Sequence, residues 1–455
     1  MAVDLLLAAK RAFEAGHTDA AWNQINIVLN EEWERPDALY VAGLIQRERG
    51  NVAVAAHLFR RALASEQKQV NLWMHYGACL HDMHLHDDAR QAFEVVRRQL
   101  PTDAQPVANI ASGYVQQGKL HDAYTTADEA LKLNPDNLIA KIAKGYASLG
   151  LGRWRDAWAL CEALYGEHVT TRIYNDAAHE EPEWDGTKGK TVVVTADQGI
   201  GDMILFAQCL EDMAKDCKRV IVEVPARLED LFRRSFPGVH VYGTLGAVNM
   251  AWVKDYTIDA RVNLSFLGRF YRNKDADFPR KPYLVPSPAL QRKWMNWLEQ
   301  FPKPWTGLAW EGGLVSTMKA RRSVKLDAYA KVIQQGGTCF DLSYRDSLEE
   351  VARWNIEHPK QIVHPWLDES NYDDTVSFAS IMDEVVTVTT ALAHVCGALG
   401  RTARVLVPVN PQWRYQYRCG DGMIWYPESS VKLYRQKPGE DGFAPAINRL
   451  VKDMA

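Results

Sequence analysis

The segment 195-TADQGIGDMILFAQCL-210 holds the first residues whose types and spacing could support chemistry. It follows the apolar run Val192, Val193, Val194 and brings Gly199, Gly201 and Asp202 close together. Glycine at 199 and 201 lets the backbone approach a ligand where a side chain would block it. The N–H groups that open the following helix favour an anion. Asp202 falls at the mouth of that helix and at the carboxyl end of a strand, where it either caps the helix or faces a cleft. Better-known motifs are excluded. A dinucleotide fingerprint needs a third glycine at the position of Ile204, no P-loop lysine follows, and neither G-x-S-x-G nor H-E-x-x-H occurs.

Placing such a turn requires a strand before it and a helix after it. From about residue 185 apolar runs of five or six residues alternate with helical patterns. Strands are expected at 191–196, 219–224, 239–243, 305–310, 338–343, 384–388 and 403–408, and helices at 202–215, 226–236, 326–335, 373–382 and 390–399. This alternation implies parallel sheets covered by helices. The proline- and charge-rich stretch 275-DADFPRKPYLVPSP-288 reads as a linker, followed by a helix near 289–301. Two Rossmann-like halves, 185–285 and 286–455, with a cleft between them are the simplest arrangement, closed by a helix over 441–454.

The first third repeats itself. Gly43, Gly77 and Gly145 lie 34 or 68 residues apart, with Ala111 in the intervening slot. Twelve residues after each slot stand Ala55, Ala89, Ala123 and Ala157, with Ala21 one period earlier. Phe59 and Phe93 repeat four residues further on. The pattern resembles the tetratricopeptide repeat and covers about residues 1–168 as an α-solenoid. Such units stack because none can bury its apolar face alone, and the stack offers a groove to a protein or peptide. A spacer or dimerisation arm is the other reading.

Composition narrows the partners. The chain has 455 residues, 47% of them hydrophobic and 24% charged, which is ordinary globular usage. A net charge of −4 gives no electrostatic reason to expect a nucleic acid or a membrane surface. No apolar run approaches the ~20 residues that span a bilayer. Asp4 and Lys10 interrupt the first segment, which reads as a helix and not as a signal peptide. Seven scattered cysteines without a C-x-x-C pair suggest neither a disulfide framework nor zinc, and they fit a cytoplasmic protein. Asp373-Asp374 reads as a helix N-terminus, so no metal is expected.

A wider resemblance runs over residues 183–436. Residues 183-EWDGTKGKTVVVTADQGIGDMILFAQCL-210 look like the start of the catalytic region in tetratricopeptide proteins of the glycosyltransferase family 9, or heptosyltransferase-like, group. That group carries W-D/N-G, a strand, then E-Q-G-L/I-G-D. In the same order, 306-TGLAWEGG-313, Arg322-Ser323, 382-MDEVVTVTTALAHVCGALGRTARVLVP-408 and 413-WRYQYRCGDGMIWYP-427 resemble later segments of the group.

The resemblance implies a GT-B fold and a metal-independent glycosyltransferase that needs no cofactor beyond its nucleotide-sugar donor. Asp202 matches the family's general base, and a carboxylate within reach can take the proton of an attacking hydroxyl. Gln198, Gly199 and Gly201 match the motif around it. On the donor side the helix start at Thr390 and Ala391 would hold a diphosphate, with Thr389 and Thr390 as hydroxyl donors. His394 matches the family's histidine. Trp310, Lys319 and Arg322 belong to the strand and loop whose cations would meet the leaving diphosphate. Trp413 and Arg414 match positions near the cleft. Thr389 departs from the family, which has aspartate there; Asp197 for the usual glutamate is a milder change, and the family's S-L-Q segment is altered to 341-DLSYRD-346. The organisation also resembles O-GlcNAc transferases. The acceptor implied is a protein, a glycan or another polymer recruited by the repeats. The alternatives are a non-catalytic scaffold with a degenerate donor site and a GT-B epimerase.

Overall fold

The computed structural model describes residues 2–160, 163, 181–196, 199–245, 251–313, 319–344, 347–417 and 420–454. The chain forms two compact units, Met1–Ser148 and Leu149–Ala455.

The first unit is built from paired helices. They are α1 (Ala2–Glu14), α2 (Thr18–Glu31), α3 (Pro36–Glu48), α4 (Val52–Leu63), α5 (Val70–Asp82), α6 (His86–Gln99), α7 (Ala104–Gln116) and α8 (Leu120–Leu133). The next helix, α9 (Leu138–Gly150), runs across the unit boundary. The recurring small residue has a steric cause. A Cβ on Gly43 would lie 2.6 Å from Phe59 Cε1, and one on Gly77 would lie 2.8 Å from Phe93 Cε1. Each glycine on the first helix of a pair receives the phenyl ring of the second. Ala111 is tolerated in the next repeat because Ala127 stands where the ring would be, and the two alanines share one apolar cluster.

A second period lies in the turns between paired helices. Gly16, Gly50, Gly118 and Gly152 have φ of +78°, +78°, +70° and +69°, and His84 occupies the intervening slot at φ +63°. These positions are 34 residues apart, so each repeat reverses through a left-handed residue. Glycine adopts that conformation freely, whereas a side chain is strained there.

The second unit holds two all-parallel sheets. The first has the strand order β3-β2-β1-β4, with β1 Thr191–Thr195, β2 Arg219–Glu223, β3 His240–Tyr242 and β4 Ala260–Asn263. Val193 on β1 pairs with Ile221 on one side and Arg261 on the other. The second has the order β10-β9-β8-β5-β6-β7. Its strands are β5 Trp305–Ala309, β6 Thr338–Asp341, β7 Ile362–Val363, β8 Glu384–Val388, β9 Ala403–Val407 and β10 Val431–Arg435. β1 and β5 are buried along their whole length, which explains why they carry no charged residue.

Three strands escape the apolar-run signal. β4 reads ARVN, β7 has two residues, and β10 reads VKLYR with charges at Lys432 and Arg435. The helix expected over 202–215 is two helices, Ile200–Ala207 and Leu210–Asp216. They part at Gln208, whose backbone carbonyl accepts from Arg272 Nη2 at 3.2 Å. Arg272 is 1% exposed, and its Nε and Nη1 donate to Gln208 Oε1 at 3.1 Å and Asp212 Oδ2 at 2.9 Å. Gln208 Nε2 in turn donates to the Trp425 carbonyl at 2.6 Å. This buried network ties the helices after β1 to the loop after β9.

The stretch 275–288 is packed chain and not a free spacer. Phe278, Tyr283 and Leu284 are buried. Tyr283 donates its hydroxyl to the Ile204 carbonyl at 2.8 Å and its N–H to the Ala398 carbonyl at 2.8 Å. Ser287 then caps the helix Pro288–Leu298. The closing helix is Ala444–Lys452. Among the described residues no helix is long and apolar enough to cross a membrane, and Cys79, Cys209, Cys217, Cys339 and Cys396 are free thiols.

Candidate functional site

Two helix starts meet inside the second unit. The helix Ile200–Ala207 follows β1, and the helix Ala391–Leu399 follows β8. Gly201 is where they come closest. A Cβ there would lie 3.1 Å from His394 Cδ2 and 3.4 Å from the Ala391 Cα. The glycine therefore serves helix-to-helix approach.

Asp202 does not cap its helix. Gly199 is the N-cap residue, in an extended conformation and without a side-chain cap, and Asp202 lies in the first turn. A negative charge there is favoured by the helix dipole. The Asp202 carboxylate is instead held by Arg414, from the short turn Trp413–Tyr415 that follows β9. Arg414 Nε donates to Asp202 Oδ1 at 2.5 Å, and Arg414 Nη2 donates to the same oxygen. The side chains of the pair are 12% and 17% exposed. Arg414 is steadied by Gln412, whose Oε1 accepts from its Nη1 at 3.2 Å, and by the Trp413 ring, whose centroid lies 5.1 Å from the guanidinium.

The second guanidinium is Arg322, at the end of the short helix Lys319–Arg322. Its Nε donates to Thr389 Oγ1 at 3.1 Å, and its Nη2 donates to the Thr389 carbonyl. Thr389 thus fixes an arginine at the β8 end of the site. Thr390 is the N-cap residue of the helix that begins at Ala391, and its hydroxyl lies 3.0 Å from that of Thr387. Gly312 fits against this turn, since a Cβ there would lie 2.9 Å from Thr390 Cγ2.

His394 is gripped on both ring nitrogens. Tyr426 Oη lies 2.8 Å from Nδ1, and Tyr415 Oη lies 3.0 Å from Nε2. Burial pushes the imidazole down to about 3, with Arg414 and Arg322 adding to the effect. The ring is therefore neutral near pH 7, with one nitrogen donating to a tyrosine and the other accepting. Burial also raises the Tyr415 and Tyr426 phenols, which stay protonated. Arg322 is lowered by the same desolvation. The imidazole is a buried spacer between the helix starts.

The remaining expected residues fall into three groups. Trp310 is 1% exposed and donates its Nε1 to Glu350 Oε2 at 2.7 Å, so its ring packs in the core and has no free face for a ligand. Trp413 is likewise buried, in an aromatic cluster with Phe206 and Trp425. Lys319 is paired with Glu311 at 2.6 Å at the rim. Gln198 lies outside the described residues, as does Asp197. Asp373 and Asp374 do not cap their helix. Asn371 does, while Asp373 pairs with Arg234 and Asp374 accepts from Trp294 Nε1 at 2.6 Å. Among the described residues no group of three His, Cys, Asp or Glu side chains is arranged to hold a metal ion.

Tyr415 escaped the sequence reading, although it stands inside the quoted 413-WRYQYRCGDGMIWYP-427 segment. Its carbonyl accepts from Arg435 Nη1, and its hydroxyl reaches His394. Arg435 lies on β10, a strand with no apolar run to reveal it.

The family model for the tetratricopeptide repeat matches residues 40–104 and 109–176. Over 413 residues the chain is 26% identical to Protein FlbA of Caulobacter vibrioides, an alignment that takes in 85% of this chain and 67% of FlbA. Among solved structures, MamA from Desulfovibrio magneticus RS-1 is 19% identical with a TM-score of 0.33, over 36% of this chain and 91% of its own. A thermophilic TPR protein from Thermus thermophilus is 20% identical with a TM-score of 0.31, over 37% of this chain and 92% of its own. The N-terminal region is a tetratricopeptide-type helical array, an architecture that implies protein partners.

Proposed function

We propose that the chain is a metal-independent glycosyltransferase of GT-B type, built from two Rossmann-like lobes, that moves a sugar from a nucleotide donor to an acceptor recruited by the repeats. One observation supports this reading most. The Asp202 carboxylate, two guanidinium groups and the N-terminus of a nine-residue helix converge where the elements after β1, β8 and β9 meet. In the transfer, the acceptor oxygen forms a bond to the anomeric carbon as the bond from that carbon to the diphosphate oxygen breaks. Asp202 takes the acceptor proton, and the diphosphate leaves with the bonding electrons. Arg322 and the N–H groups opening at Ala391 balance its charge. His394 holds the spacing between the two helix starts and takes no proton.

A second reading has its own support. Thr389, which replaces the family's aspartate, is spent on fixing Arg322, and Asp202 is spent on Arg414. A non-catalytic scaffold, with repeats docking a protein and a worn donor site, would carry both features. The two readings part on a panel of UDP-, GDP-, ADP- and CMP-sugars. The transferase raises its melting temperature with one nucleotide class and slowly hydrolyses that sugar when no acceptor is present. Stabilisation without hydrolysis, with any candidate acceptor, supports the scaffold. Stabilisation by none of them removes the donor site altogether.

A further inference from the structure

We infer that the Asp202–Arg414 ion pair is a latch, opened when the diphosphate of a nucleotide takes Arg414 away from Asp202, so that the donor must bind before an acceptor hydroxyl can engage the carboxylate. This rests on the donor site proposed above and adds an order of events to it.

The geometry of the pair is the first ground. Arg414 sends Nε and Nη2 to one carboxylate oxygen. A guanidinium is best satisfied when two of its N–H groups meet two oxygens side by side, and phosphate presents oxygens in that fork. The existing contact is thus closed but poorly matched. Its partners are 212 residues apart and follow strands of different sheets, so nothing in the local chain obliges them to stay together.

The second ground is the contrast between the two arginines. Arg322 is anchored to the Thr389 hydroxyl and carbonyl at the start of the β8 helix. Arg414 rests on a ring face and on Gln412, contacts that a side chain can keep while its tip swings. Both lie close enough to lower the basicity of His394. A diphosphate between them would meet one fixed and one movable cation. Moving Arg414 onto it leaves the Asp202 side chain beside the helix start and open to a hydroxyl.

The latch makes an unusual demand on binding. Asp202 and the ligand compete for Arg414, so neutralising Asp202 strengthens anion binding. We expect Asp202→Asn to bind inorganic pyrophosphate and the cognate nucleoside diphosphate on the order of tenfold more tightly than the wild type, measured by isothermal titration calorimetry on the full chain. Arg414→Gln binds both more weakly than the wild type. Equal or weaker binding by Asp202→Asn overturns the latch. So does a failure of both ligands to bind either protein. Tighter binding by Asp202→Asn, with no turnover of any nucleotide sugar by the wild type, keeps the latch and rejects the transferase. If Asp202→Asn does not fold, a structure of the wild type with pyrophosphate decides: the two side chains separate beyond hydrogen-bond distance, or an intact pair beside bound pyrophosphate refutes the latch.

Discussion

The glycines of the repeats and the glycines of the candidate site do different work with the same missing atom. At Gly43 and Gly77 the absent Cβ makes room for a phenyl ring on the neighbouring helix, and the arrangement recurs at fixed spacing. At Gly201 it makes room for a second helix start, 190 residues further along the chain. At Gly199, among the described residues, a Cβ would find only Asp202 Oδ2, at 3.9 Å. In the repeats, then, glycine is a packing requirement. At the site, one glycine sets the separation of two elements and the other leaves an open turn.

Substitutions sharpen that difference, and the largest effect belongs to the repeats. Gly43→Val forces a branched side chain into the Phe59 ring and should cost about 3 kcal/mol of unfolding free energy, the upper part of the usual overpacking range. Pairing it with Phe59→Ala should return part of the loss, because Ala111 beside Ala127 already shows a Cβ at the first position accommodated by alanine at the second. Chemical denaturation of the single and double variants checks both statements. If Gly43→Val proves neutral, the shared small residue has another cause.

Acid probes the site next. Between pH 6.5 and about 3 the unfolded chain binds a proton at His394 that the folded protein refuses, so stability falls as pH falls through this window. From pH 6.5 to 5 the loss assignable to His394 is about 2 kcal/mol. His394→Gln removes that portion of the pH dependence, although it lowers stability at neutral pH through the lost tyrosine contacts. Denaturation midpoints of both proteins at pH 5 and 7 measure it. An equal acid response in both would mean that the histidine is protonated in the folded state.

Smaller effects test the turns. His84 holds the left-handed position that glycine holds in the other repeats, so His84→Gly should stabilise the protein by about 1 kcal/mol. A loss of stability would show that the imidazole, edge-on to His86 at 5.7 Å between ring centroids, contributes more than its backbone strain costs. The smallest change is expected at the N-cap of the site helix, where Gly199→Ala should cost about 0.5 kcal/mol because alanine caps a helix less well than glycine. A large loss there would place an unrecognised close contact beside Asp202.

The same contrast decides what could be read in advance. The repeats declare themselves because each contact is local and recurs, so several imperfect copies reinforce one pattern. Their left-handed turns went unread because His84 interrupts the run of glycines. In the second unit the fully buried strands β1 and β5 stood out as apolar runs, whereas β4 and β10 carry Arg261, Asn263, Lys432 and Arg435 and resemble loops. Asp202, Arg322 and Arg414 were picked out by motif order. Their mutual placement was not legible, since the Asp202–Arg414 pair spans 212 residues and exists only once both sheets have formed. Trp310 follows β5 ahead of the cationic loop, and nothing in its position along the chain reveals that its indole is turned inward to Glu350.

The most direct test of the whole account is turnover by Asp202→Asn at a saturating concentration of the nucleotide sugar that stabilises the wild type. Release of nucleoside diphosphate should fall by about 10²–10⁴-fold, the usual worth of a positioned base, while the nucleotide still binds. Wild-type turnover by the variant would contradict the assignment of Asp202 as the group that accepts the proton.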